Sequence, residues 1–314
     1  MPTAPGREKR IFFIVNPHAG MGAVGRNWTH VERRARDRLG PFRFSFTEGP
    51  GHAIRLSSQA VLEGVDILVC VGGDGTLNEV VTGMMKGNAP IKPETLLGFI
   101  PNGTGCDFIR TVPIPKGLEQ ALDAIVTSRS IPLDLGRLSY RNHQGRPATR
   151  YFHNVASFGL GGEVDERVNR TTKIFGGFLS FVWALIASVL LYSKKTIRLR
   201  VDDSEEETVV AWNVVIANGR YHGGGMWVAR DASVSDGIFH LTMIGDFSLP
   251  EVFWHLPKLY DGRLFELDKV RTLTGKKVEA RSDERVLLDV DGEQPGLLPA
   301  TVEIVPSALR LIIP

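Results

Sequence analysis

The chain has 314 residues, of which 43% are hydrophobic and 23% are charged, the composition of a water-soluble globular protein with one large or two ordinary domains. The net charge of +2 does not indicate a nucleic-acid-binding surface, so we expect no nucleic-acid partner. The two cysteines, Cys70 and Cys106, fall in a predicted strand and a predicted loop. This placement favours a reducing cytoplasm over a disulfide scaffold.

The first predicted strand is the apolar run at residues 11–15, which is too short for the core of a secretory signal. Residues 16–22 (NPHAGMG) then predict a turn that leads to a helix over 27–39. A glycine-rich turn between a strand and a helix can hold a phosphate, and the alternative is an ordinary loop. Alternating phenylalanines at 42–46 predict a second strand, and residues 53–62 a second helix.

A second glycine-rich turn, at residues 71–79 (VGGDGTLNE), lies between a predicted buried strand at 67–70 and apolar residues at helical spacing. Backbone N–H groups at a helix N-terminus attract anions, and glycine lets a phosphate approach closely. Asp74 would repel a phosphate unless a divalent cation lay between them, so the turn indicates Mg²⁺-nucleotide. The alternative is a turn in which Asp74 only caps the helix. Thr76 and Glu79 match the capping box that starts a helix.

A third glycine-rich turn, at residues 101–108 (PNGTGCDF), follows a predicted strand at 96–100. Thr104 offers a hydroxyl, and Asp107 offers an acceptor or a helix N-cap. Strands alternate with helices up to the predicted helix at 118–126, which predicts an open, mostly parallel sheet. Three such turns meeting at one sheet edge would form a nucleotide site. The chain lacks GxxxxGK[ST], which argues against a Walker-type site.

From residue 131 onward, short strands and turns predict a largely antiparallel sandwich or barrel as a second domain. The predicted strands lie at residues 133–140, 151–156, 196–201, 209–217, 239–244, 285–290 and 302–305. Residues 174–193 are uncharged and long enough for a transmembrane helix. Their glycines and serines, and their position inside a soluble domain, favour a buried or membrane-touching helix. That helix is either a wall of a lipid pocket or part of the core.

An acidic string, Leu-Asp-Val-Asp-Gly-Glu at residues 288–293, ends the last but one predicted strand. Phosphoryl transfer to an alcohol needs a group that accepts the hydroxyl proton, and aspartate often fills that role. The alternative is a solvent-exposed turn. His18, His153 and His222 lack metal-ligand spacing and are interpreted as ordinary core or surface residues. The sequence contains no GxSxG or CxxC, which argues against serine hydrolases and such zinc sites.

These strings together resemble the diacylglycerol kinase catalytic domain, which bacterial lipid kinases and sphingosine kinases share. The Asp74 turn alone also resembles NAD kinases and phosphofructokinases, and Cys106 replaces an asparagine that is usual in the family. The matching strings, in family order, are Asn16-Pro17 with Gly20, Gly72-Gly73-Asp74-Gly75-Thr76 with Asn78-Glu79, residues 101–108, Asn218-Gly219 through Asp236-Gly237, and Asp291-Gly292-Glu293.

The resemblance implies an α/β nucleotide-binding domain at residues 1–130, completed by a returning strand at about 306–314. It further implies a β-rich lipid-binding domain at 131–305, with the active site in the interdomain cleft. Residues expected to contact the nucleotide are Asn16, Gly20, Gly72, Gly73, Gly75, Thr76, Glu79 and Thr104. Asp74 would position Mg²⁺-ATP, Asp291 would act as the general base with Glu293 assisting, and Asp236 would help to hold a structural divalent ion. Asp289 is the second choice of base.

The resulting hypothesis is an ATP-dependent lipid kinase that phosphorylates the hydroxyl of a membrane lipid, with diacylglycerol as the first choice of substrate. We expect it to be cytoplasmic and peripheral to the inner face of the membrane. The alternatives are an NAD kinase-like phosphotransferase and a non-catalytic lipid- or nucleotide-binding relative. Sphingoid bases and prenyl or glycerol lipids also fit the pattern, and the sequence does not indicate an oligomeric state.

Overall fold

The computed structural model describes residues 9–103, 105–170 and 186–314. The chain divides into two compact units, each built from separate segments of sequence. The first unit comprises Met1–Gly103, Pro113–Pro132 and Ala308–Pro314, and the second comprises Thr104–Val112 and Leu133–Ser307. Residues 105–112 thus group with the second unit, whereas the predicted first domain includes them.

The described residues form helices and strands in the following order. The helices are α1 (Ala19–Leu39), α2 (His52–Leu62), α3 (Asp74–Met84), α4 (Phe108–Thr111), α5 (Leu118–Thr127), α6 (Leu160–Arg170), α7 (described over 186–191), α8 (Leu249–His255) and α9 (Lys258–Asp261), followed by a 3-10 turn at Arg263–Glu266. The strands are β1 (Ile11–Val15), β2 (Arg43–Phe46), β3 (Ile67–Gly72), β4 (Met85–Lys86), β5 (Ala89–Pro90), β6 (Leu96–Pro101), β7 (Ser130–Asn142), β8 (Pro147–Phe152), β9 (Val155–Gly159), β10 (Lys195–Val201), β11 (Glu207–Ala211), β12 (Asn213–Ala217), β13 (Tyr221–His222), β14 (Met226–Trp227), β15 (Phe239–Ile244), β16 (Val270–Gly275), β17 (Lys277–Arg281), β18 (Leu288–Val290) and β19 (Gly296–Ile312).

The first unit is an α/β domain around a parallel sheet, which confirms the predicted fold class. Strands β6, β3, β1 and β2 are neighbours in that order and all pair in parallel. The C-terminal end of β19 adds a further parallel strand, since Arg310 and Leu311 pair with Leu96 and Leu97 of β6. Strands β1 and β3 are buried along their whole length, as expected of apolar strands covered by helices on both faces.

The second unit is a β-sandwich, which confirms the predicted β-rich domain. One sheet has the antiparallel order β16-β15-β12-β9-β18. Strands β11, β10, β17 and the N-terminal part of β19 form a second antiparallel sheet. Buried side chains from both sheets, such as Phe158 and Leu241 with Ile197 and Val278, form one apolar cluster. The alternation of inward and outward side chains along each strand therefore creates the core between two sheets.

Two predicted strands of this unit are wrong in detail, because each is interrupted. The prediction at 151–156 is divided between β8 and β9 at His153 and Asn154, and the prediction at 209–217 is divided between β11 and β12 at Trp212. Of the predicted helix at 174–193, residues 174–185 lie outside the described residues, and 186–191 are helical. Within the described ranges, no helix is long and apolar enough to cross a membrane.

The close packing of α2 against α3 in the first unit depends on Gly83. A Cβ atom at this position would overlap Ser57 Oγ and the Ile54 carbonyl oxygen. We therefore expect Gly83→Ala to lower the free energy of unfolding by about 1–3 kcal/mol, the usual cost of overpacking. Urea unfolding followed by circular dichroism measures this change in the free energy of unfolding. Gly49→Ala is the control, since a Cβ there meets no atom within 4 Å; equal effects of the two substitutions would contradict the packing argument.

Candidate active site

The three predicted glycine turns of the first unit meet at one edge of its sheet, at the carboxyl ends of β1, β3 and β6. The backbone N–H of Asn102, after β6, donates to the Gly72 carbonyl oxygen at 2.6 Å. Asn16, after β1, donates from Nδ2 to Thr76 Oγ1 at 2.9 Å. Thr76 is thereby fixed in the first turn of α3. Because parallel strands end at the same edge, turns that are far apart in sequence form one surface there.

The turn after β1 enters α1 through three residues in the left-handed conformation, Gly20, Met21 and Gly22, with φ of 58°, 55° and 81°. A Cβ atom on Gly20 would lie 2.5 Å from Asn102 Oδ1. Glycine at this position therefore permits both the backbone conformation and the close approach of the β6 turn. Met21 is 76% exposed beside them.

The glycines of the Asp74 turn differ in what surrounds them. A Cβ on Gly72 would lie 2.7 Å from Thr76 Oγ1, and one on Gly73 would lie 3.3 Å from the Gly103 Cα, so both are needed for packing. A Cβ on Gly75 would meet no atom within 4 Å. Gly75 lies in the first turn of α3, where backbone N–H groups lack helical partners. The open space at Gly75 is therefore suited to a phosphate.

The predicted capping box at Thr76 and Glu79 is wrong. Helix α3 begins two residues earlier, at Asp74, with Gly73 as its N-cap and no side-chain cap. The Thr76 hydroxyl accepts from Asn16, and the Glu79 carboxylate accepts instead from the backbone N–H groups of Gly51 at 2.8 Å and Ala53 at 3.0 Å. Glu79 thus stabilises the start of α2, where the helix dipole favours an anion.

Asp74 lies in the first turn of α3, next to the end of the buried strand β3. Burial raises the pKa of the Cys70 thiol in that strand, and the nearby Asp74 and Glu79 carboxylates raise it further. The thiol therefore stays protonated at neutral pH and is unsuited to be a nucleophile or a metal ligand. The role of Asp74 in positioning Mg²⁺-ATP stays a prediction.

The third glycine turn continues into residues of the second unit. Thr104 lies outside the described residues, so its predicted nucleotide contact stays a prediction. Cys106 is buried and has a positive φ of 48°, a conformation that asparagine adopts more readily than most residues. Asp107 is 6% exposed and accepts from the Gly224 N–H at 2.7 Å. Asp107 thereby holds the glycine cluster 223–225 against this segment.

In the second unit, the Asp291 carboxylate is buried and surrounded by nitrogen atoms. Its side chain is 1% exposed. It accepts from three consecutive backbone N–H groups, those of His153 at 3.1 Å, Asn154 at 3.2 Å and Val155 at 2.8 Å. His153 Nδ1 lies 2.8 Å from Asp291 Oδ2. Hydrogen bonds of this kind favour the ionised form of a carboxylate, whereas burial opposes it.

Asp289 is also fully buried, and it contacts a second histidine. The Asp289 Oδ2 atom lies 2.9 Å from His222 Nε2 and accepts from the Ser157 hydroxyl at 3.1 Å. Its Oδ1 atom accepts from the Gly292 N–H at 3.0 Å. Glu293 is half-exposed and forms an ion pair with Arg150 at 2.8 Å. The three acidic residues of the string therefore have three different environments.

The contacts of two histidines were not predicted. His153 and His222 were interpreted as ordinary residues because neither has a ligand-like neighbour in the sequence. The structure places each beside one aspartate of the acidic string, and the partners are 138 and 67 residues apart along the chain. No local spacing indicates such pairs, since β-strand pairing brings them together.

Asp236, the predicted metal ligand, lies in the turn before β15. Its Oδ1 accepts from the Ile238 N–H at 3.2 Å, and its Oδ2 lies 3.1 Å from His240 Nε2. Across residues 9–103, 105–170 and 186–314, no cluster of three or more His, Cys, Asp or Glu side chains is arranged to hold a metal ion. The metal role of Asp236 stays a prediction that would need backbone carbonyl oxygens as further ligands.

The second unit contains an apolar cavity beside the Asp289–His222 pair. Its interior volume is about 100 Å³, below the range of about 300–1,000 Å³ of small-molecule sites. Its walls come from α6, α7, α8 and strand β12, with apolar side chains such as Val164, Val189, Val252 and Leu256. Among the described residues that line it, none is Asp, Glu, Lys or Arg, and His222 forms part of the wall.

Comparison with known proteins agrees with this arrangement. The model of the diacylglycerol kinase catalytic domain matches residues 10–138, and that of the YegS C-terminal NAD kinase beta sandwich-like domain matches residues 154–313. A diacylglycerol kinase of Staphylococcus carnosus is 30% identical over 296 residues, covering 93% of this chain and 91% of that protein. A diacylglycerol kinase of Mycobacterium tuberculosis is 28% identical over 307 residues, covering 97% and 95%. A crystal structure of a Bacillus anthracis diacylglycerol kinase has the same fold, with a TM-score of 0.73 at 19% identity and coverage of 99% and 98%.

The parallel sheet with its glycine turns, the β-sandwich with its acidic string, and these matches together define a two-unit kinase fold. The chain belongs to the diacylglycerol kinase family of lipid kinases.

The environment of Asp291 predicts a stabilising role for its charge. In Asp291→Asn, an NH₂ group would replace one oxygen that faces N–H donors, so we expect a loss of about 1–3 kcal/mol in the free energy of unfolding. Urea unfolding of both proteins measures the loss. The control Glu293→Gln removes only a half-exposed ion pair and is expected to cost less than about 1 kcal/mol. An Asp291→Asn protein with the same free energy of unfolding as the unmodified protein would contradict this role.

Proposed function

We propose that this protein is a lipid kinase that transfers the γ-phosphoryl group of Mg²⁺-ATP to the hydroxyl of a membrane lipid. Diacylglycerol is the proposed substrate and phosphatidic acid the product. The enzyme would act on the cytoplasmic face of the membrane as a peripheral protein. Family membership supports the reaction class, and the names of the relatives support diacylglycerol as the first lipid to test.

The observation that carries the proposal is the apolar cavity of the second unit. The alternative, an NAD kinase-like enzyme, would need a site for a charged and strongly polar dinucleotide. The cavity is walled mostly by apolar side chains, with Asn213, His222 and His255 as polar members and no Asp, Glu, Lys or Arg among its described lining residues. It would leave most polar groups of such a substrate unpaired. An acyl chain instead gains about 0.8 kcal/mol for each buried methylene group. The cavity therefore favours a lipid acceptor.

The glycine-lined edge of the first unit is the proposed nucleotide site. Backbone N–H groups around Gly20, Gly72, Gly73 and Gly75 would bind the phosphates, with Asn16 and Thr76 fixing the turns. Mg²⁺ prefers oxygen ligands from one or two carboxylates together with substrate phosphates, and Asp74 at this edge fits that donor set. When bound, Mg²⁺ would neutralise charge on the transferring phosphoryl group.

Asp291 is proposed to accept the proton of the lipid hydroxyl. In that step the hydroxyl oxygen of the lipid forms a bond to the γ-phosphorus. The bond between the γ-phosphorus and the β,γ-bridging oxygen breaks, and ADP leaves. For Asp291 to take the proton, one of its contacts must open. The contact with His153 Nδ1 is made by a side chain, so its opening would leave the backbone hydrogen bonds intact. Glu293 would assist by its charge.

The decisive experiment incubates the purified full chain with γ-labelled ATP, Mg²⁺ and mixed micelles that contain diacylglycerol. Labelled phosphatidic acid is the expected product. The same preparation with NAD in place of lipid tests the dinucleotide alternative, which labelled NADP would support. Binding of lipid and ATP without turnover would support a non-catalytic relative and overturn the proposed reaction.

Gly75 offers a specific test of the nucleotide site. Because a methyl group at Gly75 meets no protein atom within 4 Å, Gly75→Ala should leave the unfolding temperature unchanged. It would place that methyl group where the phosphate is proposed to approach, so we expect KM for ATP to rise about tenfold, equivalent to about 1.4 kcal/mol.

The control for that variant is its KM for the lipid, which should equal that of the unmodified protein because the lipid is proposed to bind in the second unit. An unchanged KM for ATP in Gly75→Ala would remove Gly75 from the nucleotide site.

A further inference from the structure

The cavity and the acidic string of the second unit are connected through one pair of side chains. His222 is part of the cavity wall, and its side chain is 16% exposed. Asp289 is fully buried behind it, with Oδ2 2.9 Å from His222 Nε2. The imidazole ring therefore contacts both the cavity and a buried carboxylate that does not itself line the cavity.

Asp289 is held in place by groups other than His222 as well. The Ser157 hydroxyl donates to Oδ2 and the Gly292 N–H donates to Oδ1. Asp289 and Ser157 are register partners on the paired strands β18 and β9. Gly161, which also lines the cavity, lies so close that a Cβ there would approach Asp289 Oδ2 to 3.1 Å. The carboxylate is thus fixed by the sandwich and cannot move to a ligand in the cavity.

These contacts decide which lipids the cavity can accept. A cationic lipid would lose hydration on entry and would find no Asp or Glu among the described lining residues, which is a large cost. An uncharged lipid with a hydroxyl group avoids that cost. We infer that His222 shields the Asp289 carboxylate from the cavity and thereby makes the site select uncharged, hydroxyl-bearing lipids over amine-bearing lipids. This inference rests on the proposed lipid-kinase function.

The same geometry predicts how the selectivity changes when the ring is removed. In His222→Ala, the Asp289 carboxylate would face the cavity directly and provide a counter-ion for an ammonium group. An amine-bearing lipid should then bind more tightly. An uncharged lipid should bind less tightly, because it would lose the contact with the imidazole. Replacing Asp289 with asparagine in the same protein should remove the gain, because the negative charge is gone.

The experiment compares 1,2-dioctanoylglycerol with sphingosine at pH 7, for binding and for phosphorylation by Mg²⁺-ATP. Binding is followed by tryptophan fluorescence, since Trp212 lines the cavity. The unmodified protein should prefer dioctanoylglycerol by a factor on the order of 100. His222→Ala should lower that preference about tenfold or more, and His222→Ala with Asp289→Asn should restore it. His222→Gln, whose amide keeps the wall closed and can still donate to Asp289, should keep the original preference.

Two further variants complete the experiment. His222→Ser keeps a hydrogen-bond donor for Asp289 while opening the cavity wall, and its lipid preference is measured in place of that of His222→Ala if the alanine variant does not fold. His143→Ala removes a histidine of the second unit that contacts Gln294 outside the cavity, and it should change neither binding nor turnover.

The possible outcomes separate the inference from the proposed function. Equal binding of the two lipids by the unmodified protein would overturn the inference, as would a folded His222→Ala or His222→Ser protein with unchanged preference. If the unmodified protein phosphorylates neither lipid, the proposed function fails. The binding preference and its reversal would still support or overturn the selectivity role of His222.

Discussion

The set of hydrogen bonds between Asp291 and three consecutive backbone N–H groups is the constraint on which the second unit's site depends. The N–H groups of residues 153–155 point to the carboxylate, so this segment cannot continue a regular strand ladder. In return, the Asp291 N–H donates to the Val155 carbonyl oxygen at 2.9 Å. The reciprocal contacts fix the register of β18 against β9, and this register places Asp289 opposite Ser157. Burial of Asp289 behind His222 follows from that pairing.

Local patterns were enough to predict the architecture of the first unit. A buried apolar strand, a glycine turn and a helical pattern recur there, and parallel strands necessarily bring the turns to one edge. The glycine turns were predicted on these grounds, and Gly20 and Gly72 within them are required for close packing. Their contact with a nucleotide stays a prediction. The predicted capping box was wrong because its two residues match the local sequence pattern but bond to groups that are distant in sequence. The Thr76 hydroxyl accepts a hydrogen bond from Asn16, and the Glu79 carboxylate accepts one from the backbone at the start of α2.

The site of the second unit was only partly predictable. The acidic string is visible in the sequence, but its three carboxylates differ through contacts that the sequence does not encode locally. His153 and His222 are recognised only when strand pairing places them beside Asp291 and Asp289. A lipid pocket was predicted, but the short helices such as α8 that line the cavity were not, because their few apolar residues do not form a long periodic pattern. The predicted helix at 174–193, a candidate wall, lies largely outside the described residues.

The last strand, β19, completes the sheet of the first unit only at the end of the chain. Its early residues pair with β17 in the second unit, and its final residues pair with β6 in the first. During synthesis from the N-terminus, every other strand of the first sheet emerges long before Arg310 and Leu311 do. Until then one edge of β6 lacks its partner, and an uncovered edge is open to pairing with other chains. A ribosome-bound chain would therefore carry an unfinished first sheet while the whole second unit is being made.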